Sequence, residues 1–393
     1  MQQEICHMPK ASDADILQKA EDYVSQMRTI LDGGKYPLVQ IQRPWSEFNP
    51  MLSGEFARPA ALSAYLVREF ADLLSLGAKI EVTPARPRRE LNDPQLFSHL
   101  SEDDWDLRKK KLFLFSPERI EISLNRLEHY TSTKAESFQK HILFTNYRMH
   151  VDAFLSMYPG CVKPANDGAQ MPAYHHTEKN GNGITLINIG VGPANAKTIT
   201  DHVAVLRPDL MIMVGHCGGL RNHQEIGDYV LASAYLRADR VMEEVLPAHI
   251  PVIPNFLINL ALRREIDAAG IAYRTGTVYT TDNRNWEFNQ RSTVEAMKMS
   301  RSIAVDMESA TIAANGYRYR IPHATLLCVS DKPLHGKPKL SGQAQAFYQN
   351  SKEKHLEMAI RAVHSLRDQY PGGLPNDDVR SFDEPLLGSA GKD

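Results

Sequence analysis

GITLINIGVGPANAKTITDHVAVLRPDLMIMVG, residues 183–215, is the stretch that decides the fold. GITLINIG (183–190) is apolar and rich in β-branched residues, which suit a pleated strand. In ANAKTITDHVAVL, residues Ala196, Ile199, His202, Val203 and Leu206 recur three and four apart, giving one apolar helical face. Pro193 stands at the first helical turn, where its missing N–H has no intrahelical partner to lose. DLMIMVG (209–215) is again continuously apolar, the pattern of a strand covered on both faces. Strand, helix, strand in this order is a βαβ unit with parallel strands and a right-handed crossover.

Working outward, HILFTNY (141–147), GDYVLASAYL (227–236), RTGTVYTTD (274–282), RSIAVDM (301–307) and ATLLCVSD (324–331) read as further strands. ESATIAANGYRYR (308–320) and AFYQNSKEKHLEMAIRAVHSLRDQY (346–370) read as helices. Residues 136–393 are thus expected to form one α/β domain, and residues 1–135 a smaller, mixed α+β domain. Within the latter, ALSAYLVREFADLLSL (61–76) sets Leu62, Tyr65, Leu66, Phe70, Leu73 and Leu74 on one helical face, with Gly77 as its stop. AKIEV after it is strand-like, and the basic stretch TPARPRRELNDP (83–94) and RKKK (108–111) read as solvated loops. The breaker-rich tail after Pro371 reads as disordered or laid over another surface.

Composition bounds the function. The 393 residues carry 45 Lys+Arg against 47 Asp+Glu, a formal net charge of −2, with 42% hydrophobic residues. That balance argues for a folded chain and against a nucleic-acid binder, which needs a basic surface. No apolar run reaches the ~18 residues of a membrane span, and the start MQQEICHMPKASDAD has no secretory pattern. Cys6, Cys161, Cys217 and Cys328 lack CxxC pairing, so a reduced, cytoplasmic protein is expected. The histidines, His175-His176 included, show no HExxH-type spacing, and no metal or cofactor is expected.

Ligands of open α/β sheets bind beyond the C-terminal strand ends. The predicted strands exit into Gly190-Val191-Gly192-Pro193, Gly215-His216-Cys217-Gly218-Gly219, Thr281-Asp282-Asn283-Arg284-Asn285-Trp286, Met307-Glu308-Ser309 and Ser330-Asp331-Lys332. Each has an ordinary reading. Glu308 could be a first-turn acid, Asp331 a turn former, Trp286 core packing, and His216 and Cys217 buried filler. All of them at one sheet edge point instead to a site. The lone GxG after the first strand lacks the spacing of a dinucleotide fingerprint.

In this order, GVGPANA, VGHCGGL, TTDNRNWE, AVDMESA and SDKPLHG resemble the catalytic domain of the AMP nucleosidase family, within the purine nucleoside phosphorylase and nucleosidase superfamily. The likeness runs from about His129 to Pro385; the N-terminal part matches more weakly, through GEFARPAALSAYL. It implies a three-layer α/β/α domain with a mixed, largely parallel sheet. It implies Asp331 as general acid at purine N7 and Glu308, beside Met307, on the ribose hydroxyls. Gly215, His216, Cys217 and Gly218 would form a turn beside the ribose and the anion or water site. Arg284 or Trp286 would face the adenine, and Asn146, Tyr147 and Arg148, with His150 after them, would form a phosphate-contacting loop.

Related phosphorylases carry an arginine two residues before the Gly of that turn, where this chain has Met213. Losing a fixed cation for phosphate favours water as nucleophile. The implied substrates are AMP and water, without cofactor. A 5′-phosphate would call on Arg148, Lys332, Lys337 or Lys339, or on Arg58 and Arg86 of the N-terminal domain. The resemblance further implies a homohexamer and an N-terminal domain that senses a phosphate or nucleotide effector. A purine nucleoside phosphorylase, another purine nucleosidase and a non-catalytic nucleotide sensor are the alternatives.

Overall fold

The computed structural model describes residues 12–45, 50–93, 96, 100, 113–166, 168–338 and 354–375. They pack as two units, residues 12–122 and 123–375. Lys339, residues 108–111 and the tail beyond 375 lie outside the described residues.

The first unit begins with α1 (Asp13–Asp32), whose Ser12 and Asp15 cap each other's backbone N–H reciprocally. β1 (Lys35–Gln42), β2 (Met51–Glu55) and β3 (Lys79–Pro87) form an antiparallel sheet in the order β2-β1-β3. α2 (Ser63–Ser75) buries Tyr65, Leu66, Phe70 and Leu73, the face its periodicity predicts. The loop expected from Thr83 onward starts later, because Thr83–Pro87 continue β3. Pro84 and Pro87 are tolerated there because β3 is an edge strand, with one side free of ladder bonds.

The division between the units falls within α3 (Pro117–Thr131). The second unit then runs β4 (His141–Thr145), α4 (Arg148–Met157), β5 (Ala173–His176), β6 (Ile184–Asn188), α5 (Pro193–Val203), β7 (Leu210–Gly219) and β8 (Tyr229–Ala238). It continues α6 (Phe256–Ala268), β9 (Tyr273–Thr281), α7 (Gln290–Met299), β10 (Ala304–Asp306), α8 (Ser309–Arg318), β11 (His323–Asp331) and α9 (Lys354–Gln369). The eight strands lie in the order β10-β9-β8-β11-β7-β4-β6-β5. β4–β6, β4–β7, β7–β11, β8–β9 and β9–β10 are parallel; β5–β6 and β8–β11 are antiparallel. The expected mixed, largely parallel sheet is what forms.

Leu210, Ile212 and Val214 of β7 face α4, α6 and α9, joined by Leu143, Leu186 and Leu326 in one core. Each such side chain contributes about 1.5–3 kcal/mol on burial. α5 and α8 pack together, with α8 against β7, β8, β9 and β11. Helices therefore cover both faces, making three layers.

One departure from the expected pattern shapes the sheet's functional edge. Gly215–Gly219 do not form a turn; β7 continues through Gly219, buried throughout. Its end pairs antiparallel with β10, Val305 opposite Gly218 and Ala304 opposite Gly219. This closes β7, β11, β8, β9 and β10 into a ring. The glycines permit the approach: a Cβ on Gly218 would lie 3.0 Å from Val305 Cγ1, and one on Gly219 2.9 Å from Val329 Cγ1.

Candidate active site

The segments after β4, β6 and β10 meet through hydrogen bonds at Glu308, and the end of β11 pairs with the other side of β7 from β10. After β10, Asp306 takes the capping duty of α8: its Oδ2 accepts from the backbone N–H and the hydroxyl of Ser309, and its Oδ1 from Thr280 Oγ1 at 2.6 Å. Glu308 is thereby free of its own helix. Its side chain is buried, with Oε1 accepting from Gly192 N–H at 2.6 Å and Oε2 from Asn146 Nδ2 at 3.1 Å. Gly192 makes its contact from φ +113°, a conformation that glycine adopts without strain. The first-turn-acid reading of Glu308 is thereby insufficient, since Gly192 and Asn146 reach it from other strand ends.

Burial pushes the Glu308 carboxyl up to about 8 from 4.5, and the neighbouring Asp306 adds to this, against the donors Gly192, Asn146 and the Met307 backbone. Burial also raises Asp306, opposed by its bonds to Ser309 and Thr280. Two buried carboxyls side by side resist double ionisation. Charge on Glu308 is costly until something positive faces it.

Asp331 ends β11, half-buried, with Ser330 Oγ donating to its Oδ1 at 2.6 Å. A register shift between Val329 and Asp331 sets Asp331 opposite Gly218, and its Oδ2 is 3.4 Å from where a Gly218 Cβ would stand. Met307, directly after β10, is half-buried. Met213 is buried, its Cε 2.8 Å from a Cβ built on Gly215, so a thioether fills the space beside that glycine.

Other expected residues are placed differently. Trp286 is buried against Leu220, Tyr279, Met297 and Val305, which is the packing reading, while Arg284 is exposed. Arg148 is exposed and pairs with Asp152 at 2.9 Å, one helical turn on. Lys332 is buried and donates from Nζ to the Asn222 carbonyl at 2.9 Å. Lys337 lies 3.6 Å from Glu225. Within the first unit, Arg86 pairs with Glu55 and Glu118. Among the described residues, Cys161, Cys217 and Cys328 are buried thiols outside any disulfide.

Sequence reasoning missed three contributions. Gly192 and Asn146 act as donors to Glu308, and Asp306 as the cap that releases it; an Asp three residues before a helical N–H is the signal for the last. His216 turns its ring to the opposite face of β7, among His150 and His355, whose ring nitrogens and its own lie within 4.8 Å of one another. Burial pushes His150 down to about 4 and His355 well below the usual range.

Comparison with known proteins agrees with this architecture. The family model described as "Phosphorylase superfamily" matches residues 158–364. AMP nucleosidase of Escherichia coli K12 is 46% identical over 311 residues, which cover 69% of this chain and 64% of that protein. The chain thus spans slightly under two thirds of that relative's length. A 5′-methylthioadenosine/S-adenosylhomocysteine nucleosidase of Maridesulfovibrio salexigens is 28% identical over 213 residues, 52% of this chain and 89% of that protein. Among solved structures, AMP nucleosidase from Bacteroides thetaiotaomicron superposes with a TM-score of 0.54 at 33% identity, over 64% of this chain and 99% of that one. With more than half its length matched by the family model and the ring-closed sheet in place, the chain belongs to the phosphorylase superfamily.

Proposed function

We propose that the protein hydrolyses the N-glycosidic bond of AMP, giving adenine and ribose 5-phosphate. The observation that carries the reading is the buried Glu308 carboxyl, held by Gly192 and Asn146 after β10, with Asp331 ending β11 on the other side of β7. Similarity to AMP nucleosidases of E. coli and B. thetaiotaomicron supports the substrate.

Cleavage of the bond builds positive charge on the sugar and negative charge on the departing purine. Asp331, protonated when it acts, delivers a proton to N7; such general acids contribute about 10²–10⁴-fold. Glu308 accepts from the ribose hydroxyls and faces the cationic sugar, the positive charge that its buried position lacks when empty. Met213 removes a cation that an attacking phosphate would need, which favours water. Met307, Gly215, Cys217 and Gly218 line the sugar side in this reading. Tyr147 and the exposed Arg148 and Arg284 serve phosphate and base, with Trp286 beneath the base loop.

Two further parts belong to the same proposal. Residues 136–393 carry catalysis while residues 1–135 sense a phosphate or nucleotide effector. The active form is a cytoplasmic homohexamer. Among the described residues no helix is long and apolar enough to cross a membrane.

The test supplies AMP, adenosine and inosine, each with and without phosphate. Adenine and ribose 5-phosphate from AMP, independent of phosphate, is the expected outcome. Phosphate-dependent ribose 1-phosphate from a nucleoside overturns hydrolysis in favour of phosphorolysis. Binding of AMP without adenine release makes the protein a sensor.

A further inference from the structure

His150 near the start of α4, His216 in β7 and His355 near the start of α9 meet on the core face of the sheet, all buried. His355 Nε2 lies 3.0 Å from the Leu326 carbonyl oxygen. A carbonyl only accepts, so Nε2 carries the hydrogen and Nδ1 is a bare lone pair. That Nδ1 is buried with no hydrogen-bond partner. His150 Nδ1 lies 2.7 Å from Thr145 Oγ1, and its buried Nε2 likewise has no partner. Either group can donate in that bond; in the tautomer with Nδ1–H donating to Thr145, which metal binding would select, His150 turns a second lone pair inward. An outer hydroxyl or carbonyl holding the far N–H is how proteins orient metal-ligating histidines.

We propose that His150, His216 and His355 form a three-histidine site for a divalent transition metal, zinc by its preference for imidazole nitrogen. Buried imidazole lone pairs facing one another need either a cation or a hydrogen-bonded water between them; the nitrogen spacing, within 4.8 Å, admits either, and the ring-centre spacing is nearer that of a cation. The ring centres are 5.2, 5.4 and 5.8 Å apart. Zinc at about 2.0–2.1 Å from each nitrogen stands about 3.2 Å from each ring centre, which spaces the centres about 5.2 Å apart at tetrahedral angles and about 5.5 Å at trigonal ones. A water at about 2.9 Å would spread them to about 6.6 Å at tetrahedral angles. Metal binding then draws the nitrogens, now within 4.8 Å of one another, to about 3.4 Å by small ring rotations. Neutral imidazoles suit zinc better than magnesium or calcium, which take oxygen ligands. The site would clamp α4 and α9 to β7. Tyr147, beside Asn146, rests its ring edge-on to His216 with the centres 4.2 Å apart, so the clamp also steadies the donor to Glu308.

The full chain, expressed with zinc supplied, is analysed for metal by mass spectrometry. About one zinc per chain is expected, removed by a strong chelator with a drop in melting temperature and restored by zinc, because metal that binds only the folded state stabilises it. His355→Ala and His150→Ala should lose the metal, while His364→Ala, outside the cluster, should keep it. Should the cluster variants fail to fold, metal-free wild type titrated with Co²⁺ gives an independent reading. An intense four-coordinate visible band supports the site. A chain that takes up neither zinc nor cobalt overturns it in favour of a bridging water, and full zinc retention by folded His355→Ala overturns it by placing the zinc elsewhere.

Discussion

Glu308 and Asp331 stand at the ends of β10 and β11, which both pair with β7, but in unlike surroundings, and the proposed roles use that difference. Asp331 is half-buried and hydrogen-bonded to Ser330. Asp331→Asn keeps the shape and removes the transferable proton. Its kcat for AMP should fall about 10²–10⁴-fold with KM little changed, measured by adenine release; wild-type turnover would remove Asp331 from the acid role. In the proposed reaction Glu308 ionises to face a cationic sugar, yet burial pushes its carboxyl up to about 8. The free-enzyme profile, kcat/KM against pH, should therefore rise through an apparent pKa far above the ordinary 4.5 of glutamate. Glu308→Gln should abolish that limb while lowering activity throughout. A limb unchanged in Glu308→Gln would assign it to another group.

At the scale of elements, β6, β7 and β11 were legible because both their faces are covered, which writes continuous apolar runs into the chain. β5, at four residues, lies at the sheet's edge and carries His175 and His176, so no such run marks it. Gly215–Gly219 misled for a physical reason. Glycine usually punctuates a strand, but here it thins one so that β10 can lie against it. Glu308 and Asp331 could be placed from the sequence because each follows its own strand directly. His150, His216 and His355 could not be grouped, because three distant segments meet only in the folded core. The ring closure yields its own prediction. In Gly218→Ala the new methyl would meet Val305 at 3.0 Å, Pro333 at 3.3 Å and Asp331 Oδ2 at 3.4 Å. Such overpacking costs about 1–3 kcal/mol, and it presses on Val305, two residues before Met307, and on Pro333, two residues after the acid. The variant should fold, melt lower and lose at least about tenfold in kcat/KM, as misplaced groups do. Full activity would mean that the β7–β10 contact does not position Asp331.

For the molecule as a whole, the same carboxyl that serves the site opposes folding. A group whose pKa is raised in the folded state stabilises fully below its unfolded value and loses that contribution as pH rises through the folded one. For Glu308 that window runs from 4.5 to about 8, and the raised Asp306 beside it acts in the same sense. Thermal stability of the free protein should thus decline from about pH 5 toward about pH 9 beyond what surface charge explains, the formal net charge being only −2. Glu308→Gln keeps the volume and removes the ionisation. Above about pH 8 it should be more stable than wild type by about 1–3 kcal/mol, the cost of a buried group held against its preferred state, and should melt about 2–6 °C higher. Near the lower end of that range, where wild-type Glu308 is protonated, the two should melt together. Calorimetry across this range decides it: equal melting at high pH would show that the Gly192 and Asn146 donors already offset the burial of the charge. A widening gap with lost turnover would mean that the site keeps Glu308 at the expense of stability, as functional sites do.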